Sequence, residues 1–259
     1  MSRPRALENI RVVDFSWVRA GPWATRWLGA LGAEIIKIEW PENERGRLPS
    51  TTTPQNLEVN LNTSGNFNDT NVNKKSLSLN VRSVKGLEIV KRLIAISDIV
   101  IENFSSRVLQ NWGLGYRELC KVKPDIVYVS MSGYGHTGRH HHYTTFGPVA
   151  QAVSGLTYIS GLPDKPPAGW GWSYIDDTGG MYGAMCALTG PLPSKDDGAR
   201  PAYRPVPDGV ERSPQRSSAT GLHGKWARVA PGRLSSWQPC TLAGHASGQQ
   251  LPRTNGGAP

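Results

Sequence analysis

The chain has 259 residues and a net charge of +9 from 29 Lys and Arg against 20 Asp and Glu, a length that suits one sizeable core or a domain with an appendage. The first eight residues lack the apolar run of a signal peptide, no window holds the ~20 apolar residues of a membrane span, and Cys120, Cys186 and Cys240 form no C-x-x-C pair. A secreted disulfide scaffold, a zinc site and a membrane protein are thereby set aside, and a cytoplasmic protein is expected.

In chain order, Ile10 to Phe15 is a short β-rich run, and Pro22 near the start of the next segment suits a helix reaching Leu31. Gly32 stops that helix, and Ala33 to Glu39 is a second strand. Residues 41–73 are polar and rich in Asn and Thr, and read as a surface excursion. Ser76 to Val81 alternates as a strand does, Val84, Leu87, Val90 and Ile94 mark one face of a helix, and Asp98 to Phe104 returns to strand. A helix from about Arg107, broken at Gly113 and Gly115, leads to the strand Asp125 to Met131. Short apolar strands separated by helices predict an α/β fold with a doubly wound, mostly parallel, Rossmann-like sheet.

In such a sheet ligands sit beyond the carboxyl ends of the strands, which puts Ser16 to Pro22, Asn103-Phe104 and Ser132 to Gly138 on one rim. The first turn does not spell G-x-G-x-x-G, so no NAD or FAD fingerprint is present, although the helix start after Gly21 can still hold a phosphate. Three consecutive histidines, His140 to His142, cannot all face one ion from an ordinary backbone, and no metal site is expected.

The character of the chain changes near Pro191. Residues 191–259 contain no Ile, Phe or Met, hold 10 of the 20 prolines, and carry +5 of the +9 charge. They show neither the helical nor the strand period and are expected to be disordered, against a domain over residues 1–190. Trp226 and Trp237 among basic residues could stack on nucleic acid, but residues 1–190 hold no recognisable binding module and a charge of only +4, which suits a polyanionic small ligand.

The most informative stretch is Gly171 to Gly183, where Asp176 precedes a helix that carries Met181, Met185 and Leu188 at helical spacing. A carboxylate with an ordinary pKa near 3.9 is already ionised at neutral pH and can act as a nucleophile without a partner base. Asp is also a favoured N-cap, and spacing alone favours that structural role.

Several blocks together resemble one family. They are Leu7 to Pro22, Leu28 to Glu39, Asn73 to Ser76, Glu102 to Phe104, Gly113 to Tyr116, Ser132 to Gly135, Ala152 to Leu156 and the Asp176 segment. In this order they resemble the amino-terminal part of family III coenzyme A transferases, the group of formyl-CoA and carnitine CoA-transferases, over residues of about 7–189. The resemblance implies that Asp176 attacks an acyl-CoA thioester to give a mixed anhydride. The released thiolate then converts it to an aspartyl-CoA thioester, which an acceptor carboxylate enters. It further implies that Val18, Arg19 and Ala20 lie against the nucleotide part of CoA and that Asn103 and Phe104 contact the pantetheine arm. Lys74 and Lys75 would form a basic pair near the adenosine phosphate, with Arg45 and Arg47 as further basic candidates. Acyl-CoA and a carboxylic acid would be the substrates, with no tightly bound cofactor and no metal, and the full-length family forms an interlocked homodimer.

This sequence departs from the family pattern at Trp40, where Arg or Lys is common, at His136 and at Arg139. The match ends near Thr189-Gly190, where the family continues into a second domain. A frameshift or mispredicted gene end is the expectation for residues 191–259, and a fragment that at most binds CoA is the alternative to an active transferase. The racemase branch of the superfamily needs an acid–base pair and carries a His where this chain has Phe146, so racemisation is the weaker alternative.

Overall fold

A computed structural model describes residues 5–40, 64–162, 164–171 and 173–190, and the backbone of residues 226–229. The elements run β1 (Arg11–Asp14), α1 (Ala20–Ala30), β2 (Glu34–Glu39), α2 (Gly65–Thr70), β3 (Lys74–Ser78), α3 (Val84–Ala95), β4 (Ile99–Glu102), α4 (Val108–Asn111), α5 (Tyr116–Val122), β5 (Val127–Ser132), α6 (Gly147–Val153), α7 (Tyr174–Thr189) and β6 (Trp226–Val229). The sheet order is β3-β2-β1-β4-β5-β6, with β1 to β5 parallel and β6 antiparallel to β5. The doubly wound, mostly parallel α/β fold read from the sequence is the one observed.

Side-chain alternation along the strands divides the core into two layers. Val12, Ile99, Ile101, Val127, Val129 and Met131 face α1 and α7, where Ala24, Leu28, Ala184 and Ala187 meet them. Val13, Val100 and Ile38 face the other way, towards Val90 and Ile94 of α3 and Leu119 of α5. Every central strand is therefore apolar on both faces, as a covered parallel sheet requires.

The helix ends follow local chemistry. Ser83 caps α3 by accepting from the Gly86 N–H at 3.0 Å. Gly32 follows the last turn of α1 at φ +108°, a left-handed conformation that a side chain would strain.

Two expectations shift. β3 begins at Lys74, before the expected Ser76, and α2 forms inside the stretch read as a surface excursion. Met181, Met185 and Leu188 are not the buried face of α7. They are 51%, 58% and 41% exposed, while Ile175, Gly179, Gly180, Gly183, Ala184 and Ala187 are buried. Small residues win the interior because α1 lies close: a β-carbon on Gly180 would come within 2.5 Å of the Ala20 carbonyl oxygen.

Of residues 191–259, read as a disordered tail, only the β6 backbone is among the described residues, and composition did not signal that strand. The rest of that segment lies outside the described residues, as do Arg45, Arg47 and Cys240.

Candidate active site at the carboxyl rim of the sheet

The order of strand addition reverses between the parallel neighbours β1 and β4, so the connections that leave them diverge and open a crevice at the carboxyl ends of the strands. Asn103 bridges that crevice. Its side chain donates to the Trp17 carbonyl at 2.9 Å and accepts from the Trp17 N–H at 2.8 Å, as a neighbouring strand would. The Trp17 and Phe104 rings meet edge to face at 5.1 Å, and Phe104 meets Trp112 at 5.2 Å. Val18 follows at φ +64° and is 47% exposed. A β-branched residue in the left-handed region is strained, so the flanking contacts over-determine this loop.

Beneath the loop lies a buried polar cluster. The Asp14 carboxylate accepts from the Ser16 N–H at 2.9 Å, the Thr25 hydroxyl at 2.6 Å and Lys74 Nζ at 3.1 Å, and also from the Ser16 hydroxyl. Burial alone would raise the Asp14 pKa, but the Lys74 and Lys37 charges with the Ser16 and Thr25 hydrogen bonds hold it well below the usual carboxylate range. Lys37 ties the loop from below by donating to the Ser16 carbonyl at 2.7 Å. Lys74 also donates to the Pro22 carbonyl at 2.9 Å and to Asn71 Oδ1 at 3.0 Å. Burial pushes the Lys74 ammonium down to about 8, against the pull of Asp14 and with the push of Lys37.

The lysine pair thus splits. Lys74 points inward and spends its donors on the loop, whereas Lys75 is exposed and pairs with Glu34 at 2.6 Å. Arg19, expected against the nucleotide, turns its side chain to Asp177, donating from Nε at 2.6 Å and from Nη2 at 3.1 Å. Ala20 is buried at the first position of α1.

Asp176 stands in the first turn of α7, buried to 7% exposure. It is not the N-cap. Ser173 holds that position, and α7 opens two residues before Asp176, so the cap reading of this acid does not apply. The path of α7 sets the location of Asp176. A β-carbon on Gly190 would press on Val127 at the start of β5, and one on Gly183 on Met131 near its end. The helix therefore runs antiparallel to β5, and the seven residues from Gly183 back to Asp176 carry it about 10 Å further, past the carboxyl end of the sheet. There the carboxylate lies against Gly147, the first residue of α6, so closely that a β-carbon on Gly147 would collide with its Oδ2.

The opposite sheet face holds a second polar group that no sequence pattern signals. Buried Glu102 accepts from the Phe104 N–H at 2.8 Å, from the Tyr128 hydroxyl at 3.1 Å and from Ser130, whose hydroxyl is also 2.7 Å from His136 Nε2. Burial raises the Glu102 pKa to about 7 against these hydrogen bonds. Only the pairing of β4 with β5, which sets Glu102 beside Ser130, reveals the cluster. Among the described residues no group of three His, Cys, Asp or Glu side chains is arranged to hold a metal ion, and no helix is long and apolar enough to cross a membrane.

A mostly parallel sheet with a clamped loop at its switch point and a buried carboxylate on a helix start defines a doubly wound α/β protein whose candidate site lies on that rim. Comparison with known proteins identifies the family: residues 7–199 match the model of CoA-transferase family III, and the chain belongs to that family. It is 40% identical over 185 residues to succinyl-CoA:glutarate CoA-transferase of Mus musculus, covering 71% of this chain and 41% of the relative. It is 36% identical over 189 residues to formyl-CoA:oxalate CoA-transferase of Streptomyces coelicolor, covering 71% and 44%. A CAIB/BAIF family protein from Brucella suis superposes with TM-score 0.65 at 32% identity, over 72% of this chain and 49% of that one. The chain spans less than half the length of these curated relatives.

Proposed function

We propose that this chain carries the acyl-accepting half of a CoA-transferase site, with Asp176 as nucleophile. The observation that carries the reading is the placement of a buried carboxylate on the first turn of α7, beyond the carboxyl end of β5 and against the start of α6. Peptide N–H groups at helix starts favour an anionic carboxylate and an oxyanion that forms beside it.

The chemistry balances without an external base. The Asp176 carboxylate attacks the thioester carbonyl and expels CoA thiolate, leaving a mixed anhydride. The thiolate attacks the aspartyl carbonyl and releases the donor acid as a carboxylate. An acceptor carboxylate then enters the aspartyl-CoA thioester and expels the thiolate again. The thiolate takes the new acyl group, and Asp176 is regenerated. No net proton changes hands.

In this reading Val18 and the backbone at Arg19 line the nucleotide end of CoA, with buried Ala20 packed behind them against α7. Asn103 and Phe104 line the pantetheine arm, whereas Lys75, drawn to Glu34 at the amino end of β2, stands away from this rim. Lys74 acts from below by fixing the loop. Racemisation fits less well, since Phe146, next to the Gly147 that touches Asp176, carries no transferable proton.

Relatives named for succinyl-CoA and glutarate suggest the probes. With succinyl-CoA and glutarate the chain should form glutaryl-CoA, followed by chromatography of the thioesters. Asp176→Ala should lower the rate at least about a thousandfold. Turnover that survives Asp176→Ala would refute the assignment.

A further inference from the structure

We infer that Arg19 is a positioning residue for the neighbouring nucleophile: it binds and neutralises Asp177, so that Asp176 alone presents negative charge at the opening of α7. The inference rests on the transferase reading above and adds a role for a side chain expected to contact CoA.

Two carboxylates stand side by side in the first turn of α7, and the fold draws them apart. Asp176 lies against Gly147 of α6. Asp177 is held from the other side by two parallel hydrogen bonds from Arg19, at 2.6 and 3.1 Å, the fork geometry that makes Arg–carboxylate pairs specific. The guanidinium is itself fixed. Its Nη1 donates to Asn66 Oδ1 at 2.9 Å and lies 3.6 Å from Asp69, both on α2. Its central carbon sits 4.8 Å over the Trp23 ring. Arg26, 4.7 Å over the same ring, answers Asp69 at 3.2 Å. The Arg19 side chain is only 14% exposed, and the edge that a phosphate would use is taken by Asp177.

The chemistry needs this neutralisation. Both species that must approach Asp176, the CoA thiolate and the acceptor carboxylate, are anions. A bare charge on Asp177 would repel them and would favour the protonated, non-nucleophilic form of Asp176.

The test uses the full chain with succinyl-CoA as acyl donor and hydroxylamine as trap, together with an NMR titration of 13C-labelled Asp carboxylates that needs no turnover. In Arg19→Gln the Asp176 titration midpoint and the acidic limb of the trapping rate should move up by about 0.5–2 pH units. Trapping at neutral pH should fall at least about tenfold. The double variant Arg19→Gln/Asp177→Asn should return both midpoints to the wild-type position and recover most of the rate. Arg19→Lys, which keeps the charge but not the fork, should fall between wild type and Arg19→Gln. The inference is overturned if the Asp176 midpoint does not move in Arg19→Gln. It is equally overturned if the double variant is as impaired as the single one and both show a raised KM for succinyl-CoA, the mark of a phosphate contact. If the wild-type chain traps nothing, the transferase reading fails, while the NMR midpoints still decide the role of Arg19.

Discussion

Buried ionisable groups give two residue-level predictions. Glu102 has an ordinary value of 4.5 and is raised to about 7 by burial. Between these values the folded protein holds a proton that the unfolded chain releases. The stability from this group is therefore full below about 4.5 and is lost as pH rises through about 7. Glu102→Gln removes the titration, so the variant should gain about 1–3 kcal/mol on the wild type between pH 4.5 and 7.5 in urea denaturation. An equal difference at both pH values would contradict this. Lys74 is the converse case. Lys74→Met strands the Asp14 charge in the core and should cost about 3–5 kcal/mol of unfolding free energy, where a solvated phosphate-binding lysine would cost almost nothing. At this scale the sequence singled out Asp176 and Asn103 because each sits in a block whose neighbours are distinctive. It was silent on the inward turn of Lys74, on the Arg19–Asp177 pair and on the Glu102 cluster. Those depend on which residues the sheet register and the helix path bring together across 158 positions in one case and 28 in another.

Glycines set how closely the elements approach the site. Gly147 at the start of α6 leaves room for the Asp176 carboxylate, and Ala there would collide with Oδ2. Gly147→Ala should therefore preserve the fold, with far-ultraviolet circular dichroism unchanged, yet reduce the proposed glutaryl-CoA formation at least about tenfold by displacing the Asp176 carboxylate by an ångström or so. Wild-type turnover in this variant would show that Asp176 does not work from its observed position. The elements themselves were largely legible. Apolar runs located β1, β2, β4 and β5, one apolar helix face located α3, and Pro22 with Gly32 bracketed α1, because burial on both sheet faces, an amphipathic face and helix punctuation each leave a mark. The period of Met181, Met185 and Leu188 marks α7 as a helix but not its buried face, since the contact with α1 selects glycine and alanine there. The short helix α2 carries almost no apolar signal, and only Ser64, accepting from the Phe67 N–H at 3.3 Å, marks its start.

For the whole molecule, the strand order puts the loops after β1 and β4 beside each other without any sequence motif for a ligand. That is why a reading from pattern reached the fold and the rim, while the roles on the rim came from the family resemblance. β6, which extends the sheet antiparallel to β5, was invisible because its four residues lie in a segment with no period. The proposed transfer passes through a covalent aspartyl intermediate, which peptide mass spectrometry reads directly. The wild-type chain is mixed with succinyl-CoA, quenched with hydroxylamine and digested. A hydroxamate on the peptide that spans Tyr174 to Thr189, localised to Asp176 and absent in Asp176→Ala, is the result this account predicts. A folded chain that turns over succinyl-CoA with no hydroxamate at Asp176, or with one on Asp177 instead, would contradict it.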